Sequence, residues 1–286
     1  MKLYTRTLAL ALVLLPAFAG LKAQVPTVLD GAYVKETNRT KRVIPYPSLR
    51  EADVMYTKRV WRIMDLSQKM NHSFYFPITD IADRKSLFNV MRNALEVEGS
   101  LVAYGGGPDG QDDEFRYPMT QSQVDSILNP VELVPQFDLV TGEKIGDKPE
   151  PAPIRTEDIK RYIIKEDWIF DRQRSERYVR IIGIAPQKES FDGDGVSQGF
   201  ETLFWLYYPE CRYVFANAEV YNTYNDAQRR TFEDLFQKRY FSSYIIKESN
   251  VYDRNIQSYT RGLDALAEGQ RIQNELFELE HDLWHY

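Results

Sequence analysis

The chain has 286 residues, a formal net charge of −6, a single cysteine and an aromatic share of 13%. The excess of acid argues against a general nucleic-acid binder, which neutralises phosphates with Lys and Arg, and against an electrostatic grip on anionic lipid. One cysteine cannot close an intramolecular disulfide, so stability has to come from a packed core, for which this length suffices.

Residues 1–23 read as a secretory signal peptide. Lys2 and Arg6 give a basic start, Leu8 to Phe18 is an apolar run broken only by Pro16, and Gly20 to Ala23 leads to Gln24. The run is too short for a membrane span. Cleavage near Ala23 removes Lys2, Arg6 and Lys22 and no acid, which takes the charge from −6 to −9. A bacterial lipoprotein needs a cysteine just after the cut, whereas the cysteine here is Cys211. The expectation is an exported periplasmic protein with no lipid of its own.

Gln24 to Leu49 carries Pro26, Pro45 and Pro47 with a basic cluster from Lys35 to Arg42, and reads as an extended arm, either disordered or ordered by lying on a partner. Residues 50–140 form a helical and mixed part. Val54, Met55, Lys58, Trp61 and Met64 fall near one helical face, which predicts a helix over 51–70. Leu87, Phe88, Met91, Ala94 and Leu95 predict a second over 84–98, capped by Asp83 and ended by Gly99. A short strand over Ser100 to Tyr104 follows, then a helix from Gln121 to Leu128 capped by Thr120 and stopped by Asn129 and Pro130. Two glycines and three prolines make 141–153 a turn or linker between halves.

The period then becomes two. Tyr162 to Asp171, Tyr178 to Ala185 and Phe200 to Tyr208 predict an antiparallel meander within a sheet-plus-helix core over 154–255. A helix over 226–247, capped by Asp226, brings Phe232, Leu235, Phe236, Arg239 and Tyr240 to one face. Ile256, Tyr259, Leu263 and Leu266, then Leu276, Leu279 and Leu283, continue as a helical tail over 256–286, weakened at Gly262 and Gly269. The fold class is α+β: an antiparallel sheet in the second half, flanking helices, an N-terminal arm and a C-terminal helical tail.

The residues that could carry chemistry fall short of a site. His281 and His285 stand at the i, i+4 spacing of zinc ligands, but Asp282 replaces the glutamate of the metalloprotease pattern and the one other histidine is His72. Two surface histidines are the simpler reading. Asp192-Gly193-Asp194-Gly195 resembles the start of a calcium loop, yet the twelfth position is Leu203, which cannot coordinate, so a turn between strands accounts for it better. Gly105 to Gly110 lacks the Gly-Lys-Ser/Thr ending of a phosphate loop and is followed by Asp112, Asp113 and Glu114, which repel an anion; it reads as a flexible loop. Cys211 has only mixed neighbours and reads as a semi-buried structural residue. Glu278 and Glu280 suit a charged helix face, and no Gly-x-Ser-x-Gly elbow occurs. No catalytic, cofactor-binding or metal residue is assigned.

Five blocks carry a resemblance: DVMYTKRVWR (53–62), KEDWIFDRQ (165–173), RIIGIAP (180–186), WLYYPECR (205–212) and RYFSSYIIKESNVYDR (239–254). In order and content they resemble the GldN/PorN family of the type IX secretion and gliding-motility apparatus, and they are spread over about 50–255, most of the mature chain. The resemblance implies a non-enzymatic structural subunit that forms a periplasmic ring with an outer-membrane lipoprotein (PorK/GldK-like), self-associates there, and contacts the periplasmic part of a PorM/GldM-like motor component. Without a lipid anchor, membrane association would come only through a partner. The arm and the tail are expected to pack on neighbouring subunits. An exported metal-dependent hydrolase using His281 and His285, and a periplasmic small-ligand-binding protein, are the competing readings.

Overall fold

A computed structural model describes residues 41–282 apart from 82–83, 109, 111, 138–143, 193–194, 223–224 and 226. The described residues all belong to one compact unit. The signal-peptide reading, the arm before residue 41, the caps assigned to Asp83 and Asp226, and His285 lie outside the described residues.

In chain order the elements are β1 (Val54–Asp65), α1 (His72–Tyr75), α2 (Leu87–Glu96), β2 (Ala103–Tyr104), α3 (Gln121–Leu128), β3 (Val131–Phe137), β4 (Lys144–Pro151), β5 (Ile159–Asp171) and β6 (Glu176–Phe191). They continue as β7 (Ser197–Thr202), β8 (Trp205–Tyr207), α4 (Tyr208–Phe215), β9 (Glu219–Val220), β10 (Arg230–Thr231), α5 (Phe232–Gln237), β11 (Tyr244–Glu248) and α6 (Leu263–Asp282). The architecture is α+β. Its centre is a seven-stranded antiparallel sheet in the order β11-β1-β5-β6-β8-β2, with β7 pairing the far end of β6.

The expected helix over 51–70 is a strand. Val54, Lys58, Trp61 and Met64 do recur at helical spacing, but the segment is rich in β-branched and aromatic residues, and its alternation serves two covered faces. Residues 60–64 are all buried. Val60 and Met64 face the helices, while Trp61 belongs to a cluster on the other side. Pairing with β5 along nearly its whole length and with β11 at its end outweighs the local pattern.

The meander is observed: β5 and β6 form a long hairpin, closed where Asp171 Oδ1 accepts from Gln173 N at 2.8 Å, and β7 and β8 follow. The helices read over 84–98 and 121–128 are present as α2 and α3, α2 beginning three residues later than read, with Ser86 and not Asp83 as its cap. Leu87, Phe88, Met91, Ala94 and Leu95 are buried, Ser86 caps α2 by accepting from Asn89 N at 3.2 Å, and Gly99 takes a left-handed φ of 60°. Thr120 and Gln123 make a capping box on α3. Of the linker over 141–153, residues 144–151 are β4, paired with β3 as a separate two-stranded sheet. Its prolines are tolerated because such a ribbon consists of edge strands.

The helix expected over 226–247 divides in two. Thr231 and Asp234 cap a short α5, Arg239 turns the chain at φ 51°, and Tyr244 begins β11. Phe232, Leu235 and Phe236 share a buried face as read, while Arg239 bends back to the sheet. The helices cover one sheet face through a core built on Phe74, Tyr208, Phe215, Phe232, Phe236 and Phe241, whose ring centroids lie 5.1–6.4 Å apart where they meet.

Both described ends of the chain, expected to pack on neighbours, make contacts within this same unit, α6 in a second hydrophobic cluster separate from the phenylalanine core. The tail helix α6 buries Ile272 and Leu276 against Val60, Trp168 and Ile245. Gly269 permits that approach, since a Cβ there would lie 2.6 Å from the Ile245 carbonyl oxygen. Ile256 is buried, but Tyr259, Leu263 and Leu266 are exposed, so the apolar set read in the tail does not form a single packed face. Residues 41–49 run without regular structure over α4, α5 and β6. Lys41 pairs with Asp234 at 2.6 Å, Arg212 donates to the Ile44 carbonyl at 2.7 Å and stacks over Tyr46 at 3.9 Å, and Arg180 donates to the Pro47 carbonyl at 2.6 Å.

Candidate interaction face

The face of the sheet turned away from the helices carries alternate residues of each strand, and there the sequence places aromatic and charged residues together. Strand pairing sets Trp61 beside Lys165 on one side and Lys247 on the other, and Arg59 beside Asp167. Arg59 and Asp167 form a two-pronged pair at 2.6 and 2.8 Å, which raises the guanidinium's affinity for its proton, burial opposing. Lys247 lies 4.5 Å from the Trp61 ring centre, and Arg161 sits 3.4 Å above Phe200.

The 105–119 loop crosses this face as a strap. The Trp61 indole and the Lys165 ammonium both donate to Asp113, Lys165 reaching its backbone carbonyl at 2.6 Å and its carboxylate at 3.1 Å. Lys165 is 2% exposed; burial lowers its pKa, and the Asp113 carboxylate opposes that shift. Phe115, in a left-handed backbone conformation, packs edge-on against Tyr104, Trp205 and Tyr207. Its ring occupies the space over Gly183, where a Cβ would lie 2.6 Å from the Phe115 Cζ atom. The segment that follows the Gly105–Gly110 loop is thus held at Asp113 and Phe115.

Two grooves flank the strap and share Trp61, Asp113 and Asp253. One, about 400 Å³, runs over Ile63, Arg161, Ile163, Phe200 and Ile246; the other, about 350 Å³, over Thr57, Arg59, Lys165 and Asp167. The aromatics and arginines of these open grooves, Trp61, Phe200, Trp205, Arg59 and Arg161, are residue types enriched at protein–protein contact surfaces, whereas the Lys, Asp and Glu beside them are not.

The family model described as gliding motility associated protein GldN matches residues 49–285. The chain belongs to the GldN family. No curated relative matches it. In the fold, the five blocks that carry the GldN resemblance come together. Widely separated in sequence, they supply β11, β1, β5, β6 and β8, which are consecutive neighbours in the sheet.

Among the described residues, those singled out for chemistry do not converge. His281 sits exposed in the last turn of α6, His72 starts α1 beside Phe76, and Cys211 is fully buried in the helical core, where burial pushes its thiol pKa far up. Among the described residues no group of three or more His, Cys, Asp or Glu is placed to hold a metal ion. Asp192 opens the β6–β7 turn, Gly195 N donating to its carbonyl at 2.8 Å, and Leu203 is a core residue. What sequence reading missed is Lys165 and Asp113. Their only local signal was a lysine inside an apolar strand and an aromatic, Phe115, directly after three acids.

Proposed function

We propose that this GldN-family chain is a non-enzymatic structural subunit of the type IX secretion and gliding-motility machinery. In this reading it is exported to the periplasm, assembles with a PorK/GldK-like outer-membrane lipoprotein into a ring, and contacts a PorM/GldM-like motor component. The observation that carries the reading is the family match across residues 49–285. The Trp, Phe and Arg residues of the grooved sheet face support it, because those residue types are enriched where proteins meet. Membrane association then comes through the lipoprotein.

The test is purification of the tagged full-length chain from detergent-solubilised membranes, with imaging of the assembly it arrives in. Recovery in a ring with the lipoprotein, and loss of both ring and secretion when the gene is deleted, is the expected result. Recovery of the chain alone, with secretion intact in the deletion strain, would overturn the proposal.

A further inference from the structure

Away from the strapped face, a cleft of about 710 Å³ opens between the α1 region, the end of β9, β10 and α5. Four large side chains line it without being covered: Met70, Phe76, Tyr221 and Tyr240 are each 44–46% exposed. That much aromatic and thioether surface gathered in one concavity is what a docking site presents. Its charge runs against the rest of the molecule. The whole chain is net −6, yet the described residues lining the cleft include Lys69 and Arg230 and no carboxylate.

The cations here differ from the arginines that are held by acids and resemble Arg161, Arg180 and Arg254, which lie over aromatic rings elsewhere on the described surface. Arg229 is paired with Glu219 at 2.8 Å, and Arg59, Arg92, Arg212, Arg239 and Arg271 are each bound to an acid. Arg230 instead lies over the Tyr240 ring at 5.8 Å, and Arg84 over Tyr221 at 5.1 Å. Among the described residues neither they nor Lys69 has a carboxylate partner. Ser73, which also lines the cleft, has a buried hydroxyl with no hydrogen-bond partner. Unpaired cations over aromatic faces, an unused hydroxyl and a bulky apolar floor together favour carboxylates flanking apolar anchors.

We infer that this cleft receives an acidic, aromatic- or leucine-bearing segment of a partner protein. Tyr221, Tyr240 and Phe76 take the apolar anchors, and Lys69 and Arg230 take the flanking carboxylates. The inference deepens the proposed structural role by naming the chemistry of one contact, and rests on that role only in supposing a protein partner.

Binding by the purified full-length chain to a panel of short peptides tests it, with Glu or Asp flanking Phe, Leu or Trp, alongside twins carrying Lys in place of the acids. The acidic peptides are expected to bind, more weakly as salt rises, and the basic twins not to bind. The double variant Lys69→Glu/Arg230→Glu should weaken binding at least about tenfold, roughly 1.4 kcal/mol, and Tyr221→Ala, at an exposed position that leaves folding intact, should weaken it independently. Equal binding of acidic and basic twins, no binding by any acidic peptide, or full affinity in both variants would overturn the inference. So would concentration-dependent self-association abolished by Lys69→Glu, because a second copy offers a similar surface on α6, where Phe277 is exposed beside Glu275 and Glu278. Because the purified chain is used, these outcomes are independent of whether it is recovered in a ring.

Discussion

The two faces of the central sheet use charge in opposite ways. On the helix-covered face, Glu166 is fully buried and completely engaged: Arg239 grips it at 2.8 and 3.2 Å, the Trp168 indole donates to it at 2.9 Å, and Arg62 stands 3.7 Å away. These contacts tie β1 and β5 to the turn after α5. On the strapped face the buried charge, Lys165, is spent on holding a loop, and the surrounding charges stay in contact with solvent. A buried ion pair contributes little net stability against an apolar core, but breaking one is costly. The covered face therefore stakes the whole fold on its charges, and the strapped face stakes only its own shape.

The sharpest way to break this contrast is Glu166→Ala. It strands Arg62, already depressed in pKa by burial and with one guanidinium nitrogen unpartnered, and frees Arg239. A loss of about 3 kcal/mol is expected, read from the urea midpoint. A loss under about 1 kcal/mol would mean that solvent reaches this site and that the two faces do not differ.

Gly183→Ala comes next. The new methyl collides with Phe115, which has to leave its seat over β6, and overpacking of this kind costs about 2 kcal/mol. Amide exchange should quicken across 105–119 while the helical core stays protected. Unchanged exchange in the loop would show that Phe115 is not what holds the strap.

Lys165→Met separates strap from fold. It removes the ammonium that holds Asp113 while keeping similar volume, and the carboxylate left behind is 19% exposed and keeps the Trp61 indole, so that, unlike Glu166→Ala, the change leaves no fully buried charge unpaired. The expectation is a change in urea midpoint worth less than about 1 kcal/mol, with faster exchange near Asp113. A large global loss would place Lys165 with Glu166, among the charges the whole fold depends on.

These two faces also differ in how far the sequence announces them. The α2 stripe and its Gly99 stop are local, so periodicity finds them; the β5–β6 hairpin is local too and appears as alternation. The strand β1 is not local. Its pairing partners, Ile164 in β5 and Ile245 in β11, lie about a hundred and nearly two hundred residues downstream, and within 51–70 the helical spacing of Val54, Lys58, Trp61 and Met64 competes with the β-branched and aromatic residues that mark a strand buried on both faces. The 226–247 segment misleads for a related reason: Phe232, Leu235 and Phe236 are a true helical face, but Arg239 is drawn out of register to reach Glu166. Trp61, Asp113 and Lys165 converge only once that sheet exists, so the strapped face could not be read from the chain, whereas Cys211 as a buried structural residue could.

The smallest expected effect concerns the arm, whose residues 41–49 lie along the helix side. Burial raises the Asp234 carboxyl, but hydrogen bonds from Lys41 and Thr231 outweigh it and hold the group below its ordinary pKa. A carboxylate depressed in the folded state adds stability that is complete above its unfolded value of about 3.9 and fades as pH falls through the folded value. Lys41 is partly exposed, so solvent screening limits the pair to less than about 1 kcal/mol. Between pH 7 and strongly acidic buffer, Lys41→Ala should therefore lose slightly less stability than the unaltered chain, because part of the acid-sensitive contribution is already gone, and the two should converge below the folded pKa. Parallel curves with a constant offset would mean that Thr231 alone holds Asp234, and that the arm rests on Arg212, Tyr46 and Arg180 instead of on this ion pair.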